Sequence, residues 1–181
     1  MSCGIVLVSV DTPAAGRSCG SCSMCCYISP YPGPELSKPA DTWCAHCRPG
    51  RGGCSIYDKR PEGCRKFVCS WLANPELFGD EWYPKRSRLV CSFVQQDSRF
   101  WMLIEVDKRC PTRWREGPYY TQICNLALEG LKSQKFATIV RVGDDRFLIL
   151  GHRIIKNPSS KGRVVQTAPD VFDWEEATSN I

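Results

Sequence analysis

The sequence predicts an α+β fold in which a loop-rich cysteine module packs on a small antiparallel sheet with one main helix, in a ββαββ-like order. Three observations carry this. Nine of the thirteen cysteines fall between residues 19 and 69, in a stretch rich in glycine and proline. From about residue 86 the texture changes to runs of β-branched and aromatic residues flanking turn signals. Within that second region, YYTQICNLALEGLKSQ places apolar residues at 119, 123, 126, 127, 128 and 131, the spacing of one helix face.

In chain order, residues 1–85 read as the cysteine module, 86–156 as the α+β core and 157–181 as a polar tail, the whole small enough to form one compact domain. SCGIVLVSV at the start reads as a first strand. It is too short to span a membrane and has no basic region before it, so a cytoplasmic protein with reduced thiols is expected. Residues 27–43 hold four prolines and predict an irregular wrap, because proline removes backbone donors. RPGRGG, after Cys47, reads as a flexible reversal. Pro61 opens a short helix over PEGCRKFVCSWL, with Cys64 near a metal and Phe67, Trp71 and Leu72 on the core. RLVCSFV and RFWMLIEVD predict one hairpin around 95–98. KFATIVRVG and RFLILGHRII predict a second around Gly143-Asp144-Asp145. The tail is expected to be loose, docking by Val171, Phe172 and Trp174.

Thiolates bind soft and borderline metals, and a C-x-x-C turn brings two sulfurs within reach of one ion. Cys19-x-x-Cys22 and Cys44-x-x-Cys47 make a zinc-ribbon-like pair. Cys22-x-x-Cys25 overlaps the first turn and makes C-x-x-C-x-x-C, the run that grips a cubane iron–sulfur cluster, here without the Cys-Pro that follows in bacterial ferredoxins. Cys54, Cys64 and Cys69 complete the candidate set. Cys25 and Cys26 are adjacent, so their side chains are expected to diverge, serving two sites or leaving one outside the ligand set. Competing readings are a disulfide framework, disfavoured by the odd count and the lack of an export signal, and a redox dithiol, which lacks its strand–helix setting. Cys3, Cys91, Cys110 and Cys124 read as small apolar fillers. His46, between Cys44 and Cys47, reads as a surface histidine or a nitrogen ligand. Arg60, Arg65 and Lys66 read as cations offsetting thiolate charge, with the start of the Pro61 helix beside Cys64 adding its dipole.

CGSCSMCC followed by CSIYDKRPEGCRKF resembles a bacterial cysteine-cluster (CxxCxxCC) family described as zinc- or iron-chelating proteins. The resemblance falls on Cys19, Cys22, Cys25, Cys26, Cys54, Ile56, Tyr57, Arg60, Pro61, Cys64, Arg65 and Phe67. It implies metal binding and names no activity. The CAHC element and the chain beyond residue 70 lie outside it.

No paired catalytic carboxylates, nucleophile elbow or phosphate loop is present in the sequence. Glu105 and Asp107 read as solvated charges at a strand end, and His152 as a strand-face histidine. TRWREGPYY reads as an exposed loop, with base stacking by Arg113, Trp114, Arg115, Tyr119 and Tyr120 as the alternative. The net charge of +5 permits an anionic partner without demanding one. The expected function is therefore zinc binding through the cysteine cluster in a structural role. The alternatives are an iron–sulfur protein, a metal chaperone or sensor, and a nucleic-acid-contacting module.

Overall fold

The computed structural model describes residues 12–49, 53–96, 99–151 and 153–176. The strand expected at the N-terminus, the tip of the 95–98 turn and His152 lie outside the described residues.

The cysteine module is built from very short elements. Helix α1, Met24–Ile28, is followed by a miniature hairpin of β1 (Tyr31–Pro32) and β2 (Ser37–Lys38), and then by another of β3 (Cys47–Arg48) and β4 (Gly53–Cys54). The helix expected over 61–72 divides into α2, Glu62–Lys66, and α3, Ser70–Ala73. Phe67 is extended between them, and Cys69 caps α3 from the β region. That break lets Phe67 and Cys69 turn onto the apolar cluster of Met24, Tyr27, Ile28 and Val90. Helix α4, Pro84–Ser87, ends on Arg88 in the left-handed conformation and delivers the chain to the sheet.

Strands β5 (Leu89–Gln96) and β6 (Arg99–Val106) form the first predicted hairpin, and helix α5 (Gly117–Lys132) follows. Strands β7 (Ala137–Val142) and β8 (Asp145–Leu150) form the second predicted hairpin. A fifth strand, β9 (Arg153–Lys156), pairs antiparallel with β8. Gly151, at φ +81°, cuts the run RFLILGHRII in two and lets it fold back on itself. The class is α+β, but the sheet is neither four-stranded nor purely antiparallel, because β6 and β7 run parallel. Its order is β5-β6-β7-β8-β9. The reason is α5. Sixteen residues at 1.5 Å each span about 24 Å, enough to carry the chain back along β6 so that β7 starts at the same end.

Helix α5 buries Tyr119, Ile123, Leu126, Ala127 and Leu131 along one stripe. Ile123, Leu126 and Ala127 pack with Met102, Ile104, Val140 and Ile149 in the largest core cluster. The tail forms a hairpin of β10 (Arg163–Ala168) and β11 (Val171–Glu175). Phe172 and Trp174 point inward with period two onto Leu148, Leu150 and Ile155. Val171, expected to dock with them, alternates to the outer face and is 39% exposed.

Two acidic residues expected at the surface are buried instead. Asp107 accepts from Arg109 and pairs with Arg88 at 2.5 Å. Burial opposes its ionisation, but the hydrogen bonds from Arg109 and the Arg88 charge hold its carboxyl below the usual range. Glu105 lies opposite Arg141 in the parallel register. Arg141 donates to Glu105 at 2.9 Å, to Asp41 at 3.0 Å and to the Ile28 carbonyl at 2.8 Å. All three charged side chains are buried. Ser29 donates to the second Glu105 oxygen, so this cluster ties α1 and the Asp41 loop to β6 and β7.

Removing one member of a buried charge set strands the others without solvent, and such losses run to about 3–5 kcal/mol. Arg141→Met is expected to lower unfolding stability by about 3 kcal/mol, read from the urea midpoint. A loss below about 1 kcal/mol would show that the cluster does not hold the two regions together.

Candidate metal centre

Two backbone turns shape the cysteine pairs. The Cys22 amide donates to the Cys19 carbonyl at 2.8 Å, and the Cys47 amide donates to the Cys44 carbonyl at 2.9 Å. The Cys44 amide also donates to the Cys26 carbonyl at 2.9 Å, which draws the second knuckle against α1. Cys47 and Cys54 are direct partners across β3 and β4. Because Met24, Tyr27 and Ile28 face the apolar cluster under α1, Cys25 and Cys26 sit half-buried at its border.

Cys19, Cys22, Cys25, Cys26, Cys44, Cys54 and Cys64 all line one cavity of about 330 Å³. His46 lines it too, as do Lys38 and Arg60. The rest of its wall is largely apolar, from Tyr31, Leu36, Ile56, Pro61 and Phe67. The ring of Tyr31 lies against Gly33 and Gly63, where a Cβ would approach it to 2.3 and 2.9 Å and force the ring to shift. Cys47 and Cys69 stand just outside the lining. Cys69 neighbours Cys19 and Cys22, while Cys47 neighbours Cys26 and Cys44.

Cys25 and Cys26, expected to diverge, both line this cavity, and Cys25 and Cys47 lie close enough to Cys26 to shift its thiol. Arg60 lies beside Cys19 and Cys64, stacked on the Tyr57 ring with its guanidinium carbon 3.8 Å from the ring centre. Its Nε donates to the Tyr57 carbonyl at 2.9 Å. Arg65 is exposed, and Lys66 pairs with Glu62 at 2.6 Å on the outer side of α2. Cys64 is the third residue of this five-residue helix, within its first turn, and Pro61 and Gly63 line the same cavity.

The sequence offered no sign of Lys38, because nothing local marks a lysine in a proline-rich wrap as buried. Its ammonium donates to the Tyr27 carbonyl at 3.2 Å and the Pro39 carbonyl at 3.1 Å, with a further bond to Ser29. Burial lowers its pKa, while the neighbouring Cys44 and Cys26 favour its charge. The thiols respond in the opposite sense. Burial raises Cys19, Cys22 and Cys64, with Arg60 pulling against it at Cys19 and Cys64. The neighbouring Cys25 thiol, followed by burial, raises Cys26 strongly. Burial pushes Cys47 and Cys69 up to about 11. Cys91 lies fully inside the sheet core and is also raised by burial, as expected of a filler.

Compared with family models, curated proteins and solved structures, the chain matches none. Among the described residues, no three His, Cys, Asp or Glu side chains are placed to hold one ion as they stand. The donor chemistry nevertheless fits a thiophilic metal: seven thiols share a largely apolar cavity with two cations at its wall. Zinc–sulfur bonds are about 2.3 Å, so a single ion would require lining thiols to turn inward.

Trp114 and Tyr119 from TRWREGPYY are buried, at 1% and 5% exposure. Arg115 packs over the Trp114 ring and Arg113 over Tyr119, while Thr112, Arg115, Glu116, Gly117 and Pro118 stay exposed, so only the two rings depart from the exposed loop expected.

Only the thiolate is nucleophilic, so a raised pKa keeps the reactive form scarce until the pH approaches it. In reduced, metal-free protein at pH 8, alkylation of Cys47 and Cys69 is expected to run roughly a hundredfold slower than an ordinary thiol with pKa near 8.5. The rate should climb about tenfold per pH unit toward 11. Peptide mapping by mass spectrometry reads this directly, and labelling at the ordinary rate would contradict the burial argument.

Proposed function

We propose that this chain is a metal-binding protein holding zinc through its cysteine cluster, in a structural role. The observation that supports this best is the gathering of seven cysteines from five separate segments around one cavity, with Lys38 and Arg60 beside them. Thiolates bound to a divalent metal leave net negative charge, which these two cations offset. Residues 19–69 have short elements and few buried side chains of their own, and a structural zinc can contribute on the order of 10 kcal/mol to folding such a module. The likeness of the CxxCxxCC and IYDKRPEGCRKF blocks to zinc- or iron-chelating proteins supports the same reading.

A second reading has its own support. The cavity of about 330 Å³ is far larger than one ion. An iron–sulfur cluster would fill more of it, and Cys19, Cys22 and Cys25 keep the spacing that such clusters use. No helix among the described residues is long and apolar enough to cross a membrane.

Elemental analysis of protein purified without air separates these readings. At least one zinc per chain and no visible absorption is the expected result. A brown protein with iron and sulfide would move the assignment to a cluster, and absence of both metals would remove both readings. Cys64→Ser is expected to lose about one metal equivalent, and full retention would take Cys64 out of the ligand set.

Chelation supplies a further test. Removing the metal is expected to abolish amide protection over 19–69 while β6, β7 and α5 stay protected, because their core is made without the cysteine module. Hydrogen exchange with and without chelator measures it. Uniform loss over the whole chain would mean that the module and the sheet fold as one cooperative unit.

A further inference from the structure

A second concavity lies at the opposite sort of surface, where the parallel strands β6 and β7 begin and the β10–β11 hairpin closes over them. It is a cleft of about 550 Å³ that shares no lining residue with the thiol cavity. We propose that this cleft binds a planar, negatively charged ligand: a nucleobase carrying phosphate. The inference does not rest on the metal reading.

Aromatic surface is its first feature. Phe100, Trp101, Phe136 and Trp174 all line the cleft. Phe100 is 45% exposed, although it is a large apolar side chain beside a well-packed core. Two of the other rings are fixed in place. Phe136 lies on Gly130 and Trp174 on Gly162, so closely that a Cβ there would come within 2.5 and 2.3 Å of the rings. The Trp174 indole is further held by donating to Glu176 at 2.8 Å. Phe136, 5% exposed, and the inward-packed Trp174 form a fixed floor, and Phe100 presents the exposed ring on which a flat ligand stacks.

Charge is the second feature. Arg99, Lys135 and Arg163 line the cleft, and none of its lining residues is acidic. Arg163 is steadied by donating from Nε to Glu175 at 2.8 Å, an exposed pair at the mouth. The amides of Gln134 and Gln166 add donors and acceptors of the kind that read the edge of a base. Gln134 adopts φ +55°, a left-handed position after a helix that glycine occupies at no steric cost. Aromatic faces with cations around them suit a base and its phosphate better than a neutral apolar group or a bare anion.

Such a ligand has two sources, a free nucleotide or a single strand of nucleic acid. Titrating the full-length chain, in its as-isolated metal state and at low salt, with AMP, with a fluorescein-labelled ten-residue single strand and with inorganic phosphate distinguishes them. Saturable binding of AMP or of the strand is expected, with phosphate weaker by about tenfold or more. Preference for the strand assigns the source as nucleic acid, and preference for AMP assigns it as a free nucleotide. Phe100→Ala and Arg99→Glu are each expected to weaken binding about tenfold while leaving circular dichroism and metal content unchanged. Both positions are exposed, so these variants should fold. Failure of both nucleotide and strand to bind would overturn the proposal. So would phosphate binding as tightly as AMP, or binding that neither substitution alters.

Discussion

One buried guanidinium holds the two halves of this protein in relation to each other. Arg141 stands on β7, donates to Glu105 on β6, and reaches across to Asp41 and to the carbonyl at the end of α1. Three charged groups out of water are tolerated only when each is paired, so the arrangement admits little slack. Because α1 ends on this anchor, the position of Cys25 and Cys26 follows from the position of the sheet. The Cys26 carbonyl then receives the Cys44 amide, and the second cysteine knuckle is drawn in behind. A strand-borne arginine thus anchors the end of α1, 113 residues earlier in sequence, and with it the thiols that α1 carries.

The cavity that results holds opposing tendencies. Burial raises its thiols and depresses Lys38, favouring the uncharged form of each. Arg60 and Lys38 pull the other way by stabilising thiolate. In the proposed reading, a bound metal decides the matter, because it binds only the deprotonated thiol and releases the proton as it does so. The apolar wall of Tyr31, Leu36, Ile56 and Phe67 keeps that exchange away from bulk water, which strengthens each charge interaction inside it.

Much of the second half was legible from local pattern. Both hairpins and α5 lie where alternation and helical spacing place them, because their apolar faces are written in consecutive residues. Pairing across the fold was not. The parallel β6–β7 contact depends on how far α5 carries the chain, and β9 depends on a single left-handed glycine. Glu105, Asp107 and Lys38 look like surface charges in sequence, since the arginines and carbonyls that satisfy them come from distant segments. Trp114 was hidden for the same reason, its basic neighbours suggesting an exposed loop when they pack over its ring and that of Tyr119. Among the cysteines, local pattern revealed the two knuckle turns and set Cys64 near the metal, but not that Cys47 and Cys54 pair across β3 and β4, nor that Cys47 and Cys69 fall outside the cavity lining.

The cysteine cavity as a metal centre is the claim on which the account turns, and X-ray absorption at the metal edge of the purified protein tests it most directly. The account predicts a first shell made of sulfur, at about 2.3 Å for zinc. A shell dominated by nitrogen or oxygen would contradict it, because it would place the metal away from the thiols that the fold brings together.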